Sequence, residues 1–492
     1  MTYIIYDFET SGRSARFDQI LQAGFIIYDK QFNQIEELNI RSRINSDIVP
    51  SLGALKVNKL KISDVLCQGI SYYQMILEIE KFLKKYKNSF YLGFNSINFD
   101  EEFFRQAFWE HFFFPYLTNT QGNKRGDLLN FVTMVHAFRK DNVCVEKNDE
   151  GKLTFRLESL AKANCFNIKD SHEAIADVQA TMLLMNLLVK KNRDFLELFV
   201  ENSNSKNVEK KIISNQVFTL HNYMFNSHRI YLVKHLIKHP VYNNQLIGFD
   251  LKYDCSELIN YTRDELKEIY KNKSFFRKIR INKQPSILDK SFARNIPPYT
   301  DMSEDEINLK NNQLNDTNFC ENLKSLLELE ALEKIENQSQ ELQQEEETIY
   351  SKNLNYKDSI IMNHFHNEKW EEKWLYAEKF NDSRLRFFAA KHIYRNSPEC
   401  LPNKIFKHLH NKISDRLNSL KKERYFTIPQ AMEEADNYSL EIEELNNEKF
   451  FKEQVDQYNI YINFLNDYYN NTNAKPQRFD HNLSKILFGV SS

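Results

Sequence analysis

The sequence has few of the residues that interrupt or crosslink a chain. Its 492 residues include only 10 glycines, 10 prolines and 6 cysteines. The cysteines stand far apart and no two of them form a Cys-x-x-Cys pair; they are Cys67, Cys144, Cys165, Cys255, Cys320 and Cys400. This spacing excludes a zinc knuckle and a disulfide framework of the kind that holds small secreted proteins together, so we expect reduced thiols.

Long hydrophobic runs are also missing. No stretch approaches the roughly 18 apolar residues that a membrane-spanning helix needs. The amino terminus, MTYIIYDFET, has a short apolar run without the basic leader of a secretory signal. The sequence therefore predicts a cytoplasmic protein without a membrane partner.

Neither sign of charge dominates, since 66 Lys and Arg face 68 Asp and Glu and the formal net charge is −2. That balance excludes a protein whose whole surface is a basic sleeve for nucleic acid. The distribution is uneven, however: residues 205–294 contain 17 basic and 8 acidic residues, whereas residues 301–347 contain 3 and 14. We expect the basic stretch to follow phosphates, and the acidic one to be a helix that ends in a solvated linker.

Apolar and aromatic residues are plentiful, at 41% and 13%, and the length predicts two to four domains. Residues 1–190 alternate predicted strands (3–6, 24–28, 36–44 and 89–94) with predicted helices (71–86, 100–113, 127–138, 157–163 and 173–189). This alternation indicates an α/β domain. Short β-like runs then predict a small mixed β domain, and the pattern from residue 355 onward is helical.

A pair of carboxylates ends the first predicted strand. Asp7 and Glu9 lie two residues apart in the run DFET, so both side chains point to the same face of the strand. Like charges this close repel each other unless a cation is held between them. Carboxylate oxygens favour hard cations, so the pair predicts Mg²⁺ or Mn²⁺. The alternative is an ordinary strand end with two solvated acids.

Two further segments supply acids and an imidazole. Asp100 lies at the start of a predicted helix in GFNSINFDEEFF. The run SHEAIAD opens the last helix of the region, with His172 at the junction of loop and helix, Asp177 in the first turns, and Asp170 as a candidate cap. A histidine beside a metal cluster can accept a proton from an attacking water. Each fragment alone fits a structural role, but together they predict a metal-dependent active site.

The five residues Asp7, Glu9, Asp100, His172 and Asp177 resemble the signature of the DEDDh family of 3′–5′ exonucleases. The resemblance is greatest to the bacterial branch that carries two further domains. It extends through YDFETSG, LGFNSINFDEEFFRQ, GDLLNFV, FRLESLAKAN and SHEAIADVQAT, and more weakly through KHPVYNN, IRINKQPSIL and RFFAAKHIYRNSPECL. It therefore covers nearly the whole chain.

This resemblance implies an α/β fold with three parts. These are a ribonuclease-H-like exonuclease domain at residues 1–190, an SH3-like β-barrel domain at 191–350 with the acidic linker at its end, and a C-terminal all-α domain at 351–492. The resemblance also implies two Mg²⁺ ions, replaceable by Mn²⁺, on Asp7, Glu9, Asp100 and Asp177. His172 would be the general base.

Contacts with a substrate follow from the resemblance and from position. Glu9 would lie against the terminal nucleotide, and Arg156 matches a substrate-contacting arginine whose guanidinium can donate two parallel hydrogen bonds to a phosphate. Thr10 and Arg105 are further candidates for contacts with the last nucleotide and a phosphate. Tyr116 and Phe155 are candidates for base stacking, although a place in the hydrophobic core is an equal alternative for both.

Together these features predict a 3′–5′ exonuclease that degrades single-stranded DNA to 5′-mononucleotides in DNA repair and recombination. One alternative is an exoribonuclease of the same family that trims RNA 3′ ends. A binding module without activity is disfavoured because all five signature residues are present. The resemblance also implies a monomer and a partner, single-strand-binding protein, whose acidic tail we expect to bind weakly because residues 328–347 are themselves acidic.

Overall fold

The computed structural model describes residues 2–167, 173–272, 274–339, 343–351, 355–421, 423–445, 449–471 and 473–489. Within these ranges the chain forms two five-stranded sheets with associated helices, followed by a helical carboxyl-terminal region. In the same ranges, no helix has both the length and the apolar character needed to cross a lipid bilayer.

The first sheet has the order β3-β2-β1-β4-β5. Its strands are β1 (Tyr3–Thr10), β2 (Ile20–Tyr28), β3 (Gln34–Arg41), β4 (Phe90–Gly93) and β5 (Lys124–Asp127). The first three strands pair antiparallel, whereas β4 and β5 continue the sheet parallel to β1. The apolar pattern predicts β1 to β4, but β5 has the sequence KRGD and lacks the alternation that marks a strand.

Helices cover both faces of this sheet. They are α1 (Leu52–Val57), α2 (Ile62–Cys67), α3 (Tyr72–Leu83), α4 (Asp100–Glu110), α5 (Leu128–Phe138), α6 (Leu157–Ala163) and α7 (Ala174–Lys191). Even-numbered residues of β1, such as Tyr6 and Phe8, pack with α3 and α4, whereas Tyr3 and Ile5 pack with α5 and α7. Because side chains alternate along a strand, Asp7 and Glu9 belong to the row that faces α7.

Gly24 allows the start of α7 to approach the sheet closely. A Cβ atom at this position would lie only 2.9 Å from the backbone carbonyl carbon of Ala174, the first residue of α7. Gly24 pairs with Asp7 across the strands. The close approach therefore brings the first turn of α7, which carries Asp177, over the acidic end of β1.

The second sheet is antiparallel and has the order β10-β6-β7-β8-β9. Its strands are β6 (Val217–Met224), β7 (Ser227–Lys238), β8 (Gln245–Asp250), β9 (Phe276–Arg280) and β10 (Ser286–Leu288). The helices of this unit are α8 (Arg193–Asn202), α9 (Ser205–Asn215), α10 (Arg263–Asn272), α11 (Lys290–Arg294), α12 (Glu304–Gln313) and α13 (Thr317–Ser339). The sheet is as expected from the β-like runs of residues 205–294, and the six helices make the unit mixed. Closure into an SH3-like barrel stays a prediction.

The carboxyl-terminal region is helical, as predicted. It contains α14 (Tyr356–Asn367), α15 (Trp370–Ala377), α16 (Ser383–Asn396), α17 (Asn403–Leu417), α18 (Ile428–Leu445), α19 (Lys449–Asn470) and α20 (His481–Phe488). Its hydrophobic core is continuous with Leu52 of α1, Leu66 of α2 and Trp109 of α4. The helical region therefore packs directly on the first unit.

Packing runs across the predicted boundaries at residues 190 and 350, which stay predictions. Phe195 and Phe199 of α8 belong to the core of the first unit. Gln284, just before β10, accepts a hydrogen bond from the backbone N–H of Asp127 at 2.8 Å and donates one to the carbonyl of Phe199 at 3.0 Å. The two sheets are therefore joined by buried polar contacts as well as by apolar ones.

Candidate active site

Three carboxylates meet where β1 ends beneath the first turn of α7. Asp7, Glu9 and Asp177 each offer one oxygen, and these oxygens all lie within 4.8 Å of one another. All three side chains are partly buried. A divalent cation fits such a cluster, because several carboxylate oxygens then share its positive charge.

Asp100 is the fourth predicted acid, and it lies deeper than the other three. It begins α4 and is 4% exposed. One of its carboxylate oxygens accepts a hydrogen bond from the backbone N–H of Phe8, at 3.1 Å, between the two acids of β1. Among the described residues the close group of oxygens contains Asp7, Glu9 and Asp177 without Asp100. Asp100 is therefore adjacent to the cluster, and its predicted role as a ligand stays a prediction.

The four acids destabilise one another's ionised forms. Burial raises the pKa of Asp7 well above its ordinary value, and the charge of Asp100 adds to the effect. Burial likewise raises the pKa of Glu9 to about 7, with Asp177 adding to the shift and Arg41 opposing it. A doubly charged cation would favour the ionised carboxylates, so this donor set fits Mg²⁺ or Mn²⁺.

Asp127 organises the loop that leads to Asp100, and sequence reasoning does not identify it. Its carboxylate accepts hydrogen bonds from the backbone N–H groups of Asn95 at 2.8 Å and Ile97 at 3.1 Å. It also caps α5 through the N–H of Leu129 at 3.0 Å. The run GDLLN signals only the cap, because the loop that the same carboxylate binds is 30 residues away in the sequence.

A cleft of about 810 Å³ opens beside the cluster. Asp7, Asn95 and Asp177 line it, and residues 146–150 and 154–157 also contribute to its lining. Arg156 belongs to that second group, is exposed, and is the N-cap residue of α6. The structure thus brings Arg156 to the same cleft as the acids, and its contact with a phosphate stays a prediction.

Phe155 and Thr10 have structural contacts that compete with their predicted roles. Phe155 lines the cleft but is buried, with its ring centroid 4.6 Å from that of Tyr223 and 5.3 Å from that of His136. The hydroxyl of Thr10 is buried and donates a hydrogen bond to the carbonyl of Gly12 at 2.7 Å. The alternative of a core position therefore describes Phe155, and the side chain of Thr10 serves a turn.

Arg105 and Tyr116 lie together and do not line the cleft. The guanidinium of Arg105 is buried, 3.6 Å from the carboxylate of Glu101 and 3.7 Å from that of Glu102. It also lies 5.5 Å from the ring centroid of Tyr116. Because Arg105 helps to neutralise the fully buried Glu101, the predicted contact with a phosphate is not supported.

His172 and Asp170 lie outside the described residues. The carboxylate of Glu173, the residue after His172, pairs with the guanidinium of Arg41 at 3.2 Å. The predicted role of His172 as a general base therefore stays a prediction.

The acidic segment contradicts the expectation of a solvated linker over its described part. Glu330 and Glu333 on α13 pair with basic residues of the second unit, at 3.9 Å from Lys278 and 3.1 Å from Lys267. The run of three glutamates that follows pairs with the helical region: Glu345 with Lys412, Glu346 with Lys391 and Arg416, and Glu347 with Arg424. These acids act as intramolecular contacts, which the sequence could not show because their partners are distant along the chain.

Comparisons with known proteins agree with the predicted resemblance. Residues 4–185 match the exonuclease family model RNase_T. Exodeoxyribonuclease I of Haemophilus influenzae is 30% identical over 279 residues, which are 55% of this chain and 59% of the relative. The aligned segment therefore spans less than two thirds of that relative.

Solved structures agree over a greater length. The crystal structure of Escherichia coli exonuclease I in complex with a dA16 oligonucleotide matches with a TM-score of 0.78 at 22% identity. A structure described as an ExoI/SSB-Ct complex matches with a TM-score of 0.78 at 21% identity. Each match covers 94% of this chain and 99% of the other. The predicted α/β fold with a helical carboxyl-terminal region is thus confirmed.

Proposed function

We propose that this chain, whose residues 4–185 match an exonuclease family model, is a metal-dependent 3′–5′ exonuclease that degrades single-stranded DNA to 5′-mononucleotides. The observation that carries the proposal is the cluster of Asp7, Glu9 and Asp177, with oxygens within 4.8 Å of one another beside an open cleft. A fold alone does not define an activity, but this site has the donors that phosphodiester hydrolysis needs.

Asp7, Glu9 and Asp177 would hold the cations, and Asp100 would complete a two-ion site from its buried position. When bound, Mg²⁺ or Mn²⁺ lowers the pKa of a water molecule and stabilises the negative charge on a departing oxygen. Asp127 fixes the loop before Asp100, so this acid is already in position before a substrate binds. Arg156, which lines the same cleft, would donate hydrogen bonds to a phosphate. His172 would accept the proton of the attacking water.

DNA is the proposed substrate, rather than RNA, because of what the similar proteins are called and contain. The Haemophilus influenzae relative is named exodeoxyribonuclease I, and the matching Escherichia coli structure contains an oligonucleotide of deoxyadenosine. We extend the proposal to DNA repair and recombination, in which single-stranded 3′ ends arise. The six cysteines are free thiols, which suits the reducing cytoplasm.

Single-strand-binding protein is a proposed partner, because one of the matching structures is an ExoI/SSB-Ct complex. The described acidic residues within 328–347 affect how strongly we expect this partner to bind. Glu345, Glu346 and Glu347 are paired with basic residues of the helical region. Cations that neutralise these glutamates are less available to an acidic peptide, which supports weakened binding.

The test is parallel digestion of 5′-labelled single-stranded DNA, duplex DNA and RNA, each with Mg²⁺ and with chelator. We expect single-stranded DNA to shorten from its 3′ end only when metal is present. Asp7→Ala should abolish turnover, because the cations lose one of their ligands, while binding of the DNA persists. Asp149→Asn, which changes an exposed acid lining the same cleft, is the control and should act like wild type.

Retained turnover in Asp7→Ala would refute the assignment of the site. Degradation of RNA without degradation of DNA would refute the choice of substrate and favour the exoribonuclease alternative.

A further inference from the structure

The hairpin that joins β6 to β7 has an aromatic residue at its tip. Met224 pairs with Ser227, so the loop consists of Phe225 and Asn226 alone. Both residues have left-handed backbone angles, with φ of 52° and 56°, as a type I′ turn requires. Asparagine and glycine suit this conformation, whereas phenylalanine is strained there because its Cβ approaches the backbone. The hairpin therefore keeps an unfavourable residue at its first loop position.

The side chain of Phe225 projects into solvent. It is 86% exposed, more than any other aromatic residue in the described part of the chain. Packing within the fold therefore does not account for its presence. A residue that is both strained and exposed indicates a functional contact.

The tip of the hairpin stands between two cavities. Asn226 lines the cleft that Asp7 and Asp177 also line. Met224 lines a second, polar cavity of about 360 Å³, and Tyr223 lines both. A strand that left the carboxylate cleft for the second cavity would pass Phe225.

The second cavity has the chemistry of a phosphate-binding surface. Lys278, Arg280 and Lys283 line it, and no acidic residue of the described ranges does. Lys278 lies 3.9 Å from Glu330 and Lys283 lies 3.4 Å from Glu102, so Arg280 contributes most of the charge that a phosphate would meet. Lys278 and Arg280 are exposed. Cationic side chains beside an exposed aromatic ring are the combination that binds single-stranded nucleic acid with little regard to sequence.

The base of the hairpin is held firmly against the first unit. The hydroxyl of Tyr223 donates a hydrogen bond to the carbonyl of Leu153 at 2.8 Å. On the adjoining strand, the ring nitrogens of His228 and His136 lie 2.9 Å apart in a hydrogen bond. The tip is thus presented at a fixed position relative to the carboxylates.

We propose that Phe225 stacks on a base of single-stranded DNA where the strand passes between the basic cavity and the catalytic cleft, and so holds the strand in the site. This inference rests on the proposed function. Phe225 is a positioning residue: it contacts the strand away from the reacting phosphate and takes no part in bond cleavage.

The test compares Phe225→Ala, Phe225→Trp and Tyr356→Ala, the last altering an exposed aromatic on α14 as a matched control. Affinity for a fluorescent thymidine oligonucleotide is measured by anisotropy in chelator, and turnover is measured with Mg²⁺ on the same oligonucleotide and on a dinucleotide. We expect Phe225→Ala to weaken binding of the oligonucleotide about tenfold, as the loss of one stacking contact does. Phe225→Trp should restore affinity, and turnover of the dinucleotide should be unchanged.

Affinity of Phe225→Ala within twofold of wild type would overturn the inference and leave the proposed function intact. An equal loss of turnover on the dinucleotide would also overturn it, because the residue would then act at the reacting phosphate or through the fold. If wild-type protein neither binds nor degrades single-stranded DNA, the proposed function fails and this inference fails with it.

Discussion

A buried ionic network joins the first unit to the helical region, and its central acid gives the sharpest prediction. Asp47 is fully buried, and its carboxylate accepts two hydrogen bonds from Arg395, at 2.6 and 2.9 Å. Lys391 lies 3.2 Å away and Arg416 lies 3.4 Å away. Glu346, from the acidic segment, pairs with the same lysine and with Arg416. Three cations therefore depend on two buried carboxylates.

Substitution of Asp47 by asparagine keeps the shape of the side chain and removes its charge. Arg395 would then retain Glu110 at 3.9 Å and the more distant charge of Glu346 as its acidic partners among the described residues. Breaking a buried ion pair on one side costs about 3–5 kcal/mol, because the remaining charge stays desolvated. We therefore expect Asp47→Asn to lower the free energy of unfolding by that amount.

Urea unfolding followed by tryptophan fluorescence measures this loss, because Trp109, Trp370 and Trp374 all lie in or against the core shared by the two units. The control is Glu399→Gln, which removes the half-exposed partner of Arg478 and should cost no more than about 1 kcal/mol. A loss below about 1 kcal/mol for Asp47→Asn would refute the reasoning, since the network would then contribute no more than a surface pair.

The same network also gives an expectation for acid stability. Burial alone would raise the pKa of Asp47, but the charges of Arg395 and Lys391 hold it well below its usual range. A carboxyl group with a depressed pKa in the fold contributes stability above its unfolded pKa and loses it only as the pH falls through the folded value. The contribution of Asp47 should therefore persist in mild acid.

Mild acid should nevertheless weaken the fold through its buried histidines: burial lowers the pKa of His111 and of His221 to about 3, so below pH 6.5 only the unfolded chain gains those protons. Each histidine should cost about 1.4 kcal/mol between pH 7.5 and pH 5.5, while acids with a raised pKa, such as Glu9, gain protons in the fold and act in the opposite direction. The histidine contribution is therefore measured by comparing wild type with His111→Asn in urea at both pH values, and an equal dependence on pH in the two proteins would contradict it. Arg105→Ala should destabilise the protein by about 1–3 kcal/mol by leaving Glu101 with fewer partners, while the KM for single-stranded DNA stays within twofold of wild type. A tenfold rise in that KM without loss of stability would restore the phosphate contact predicted from sequence.

The sequence predicts most of the first sheet because β1, β2 and β4 are largely apolar and β3 alternates polar and apolar residues. It predicts the long helices from their periodicity. It does not predict α1 and α2, which are six residues each and too short for a periodic pattern. Nor does it predict β5, whose polar residues are buried by neighbours that come from elsewhere in the chain.

The sequence likewise predicts some residues of the candidate site and not others. Asp7, Glu9 and Asp177 are predictable because a strand and the first turn of a helix fix where their side chains point. Arg105 and Phe155 are adjacent to motif residues in sequence, but their contacts depend on Glu101 and on Tyr223. Position within a motif can therefore mark a residue as a candidate for the site, but it does not show which side chains that residue contacts.

The distribution of charge also shows that the sequence does not reveal which side chains pair in the fold. The excess of positive charge in residues 205–294 suggests a continuous groove for phosphates, yet Lys267 and Lys278 face glutamates of α13. Lys283 lies 3.4 Å from Glu102 and donates a hydrogen bond to the carbonyl of Ile97. Each such pair adds little stability where it is exposed, but it reduces the local field that a nucleic acid meets. In the proposed function, a strand would therefore be attracted mainly by exposed cations such as Arg156 of the cleft and Arg280 of the second cavity. Its binding would depend correspondingly more on stacking.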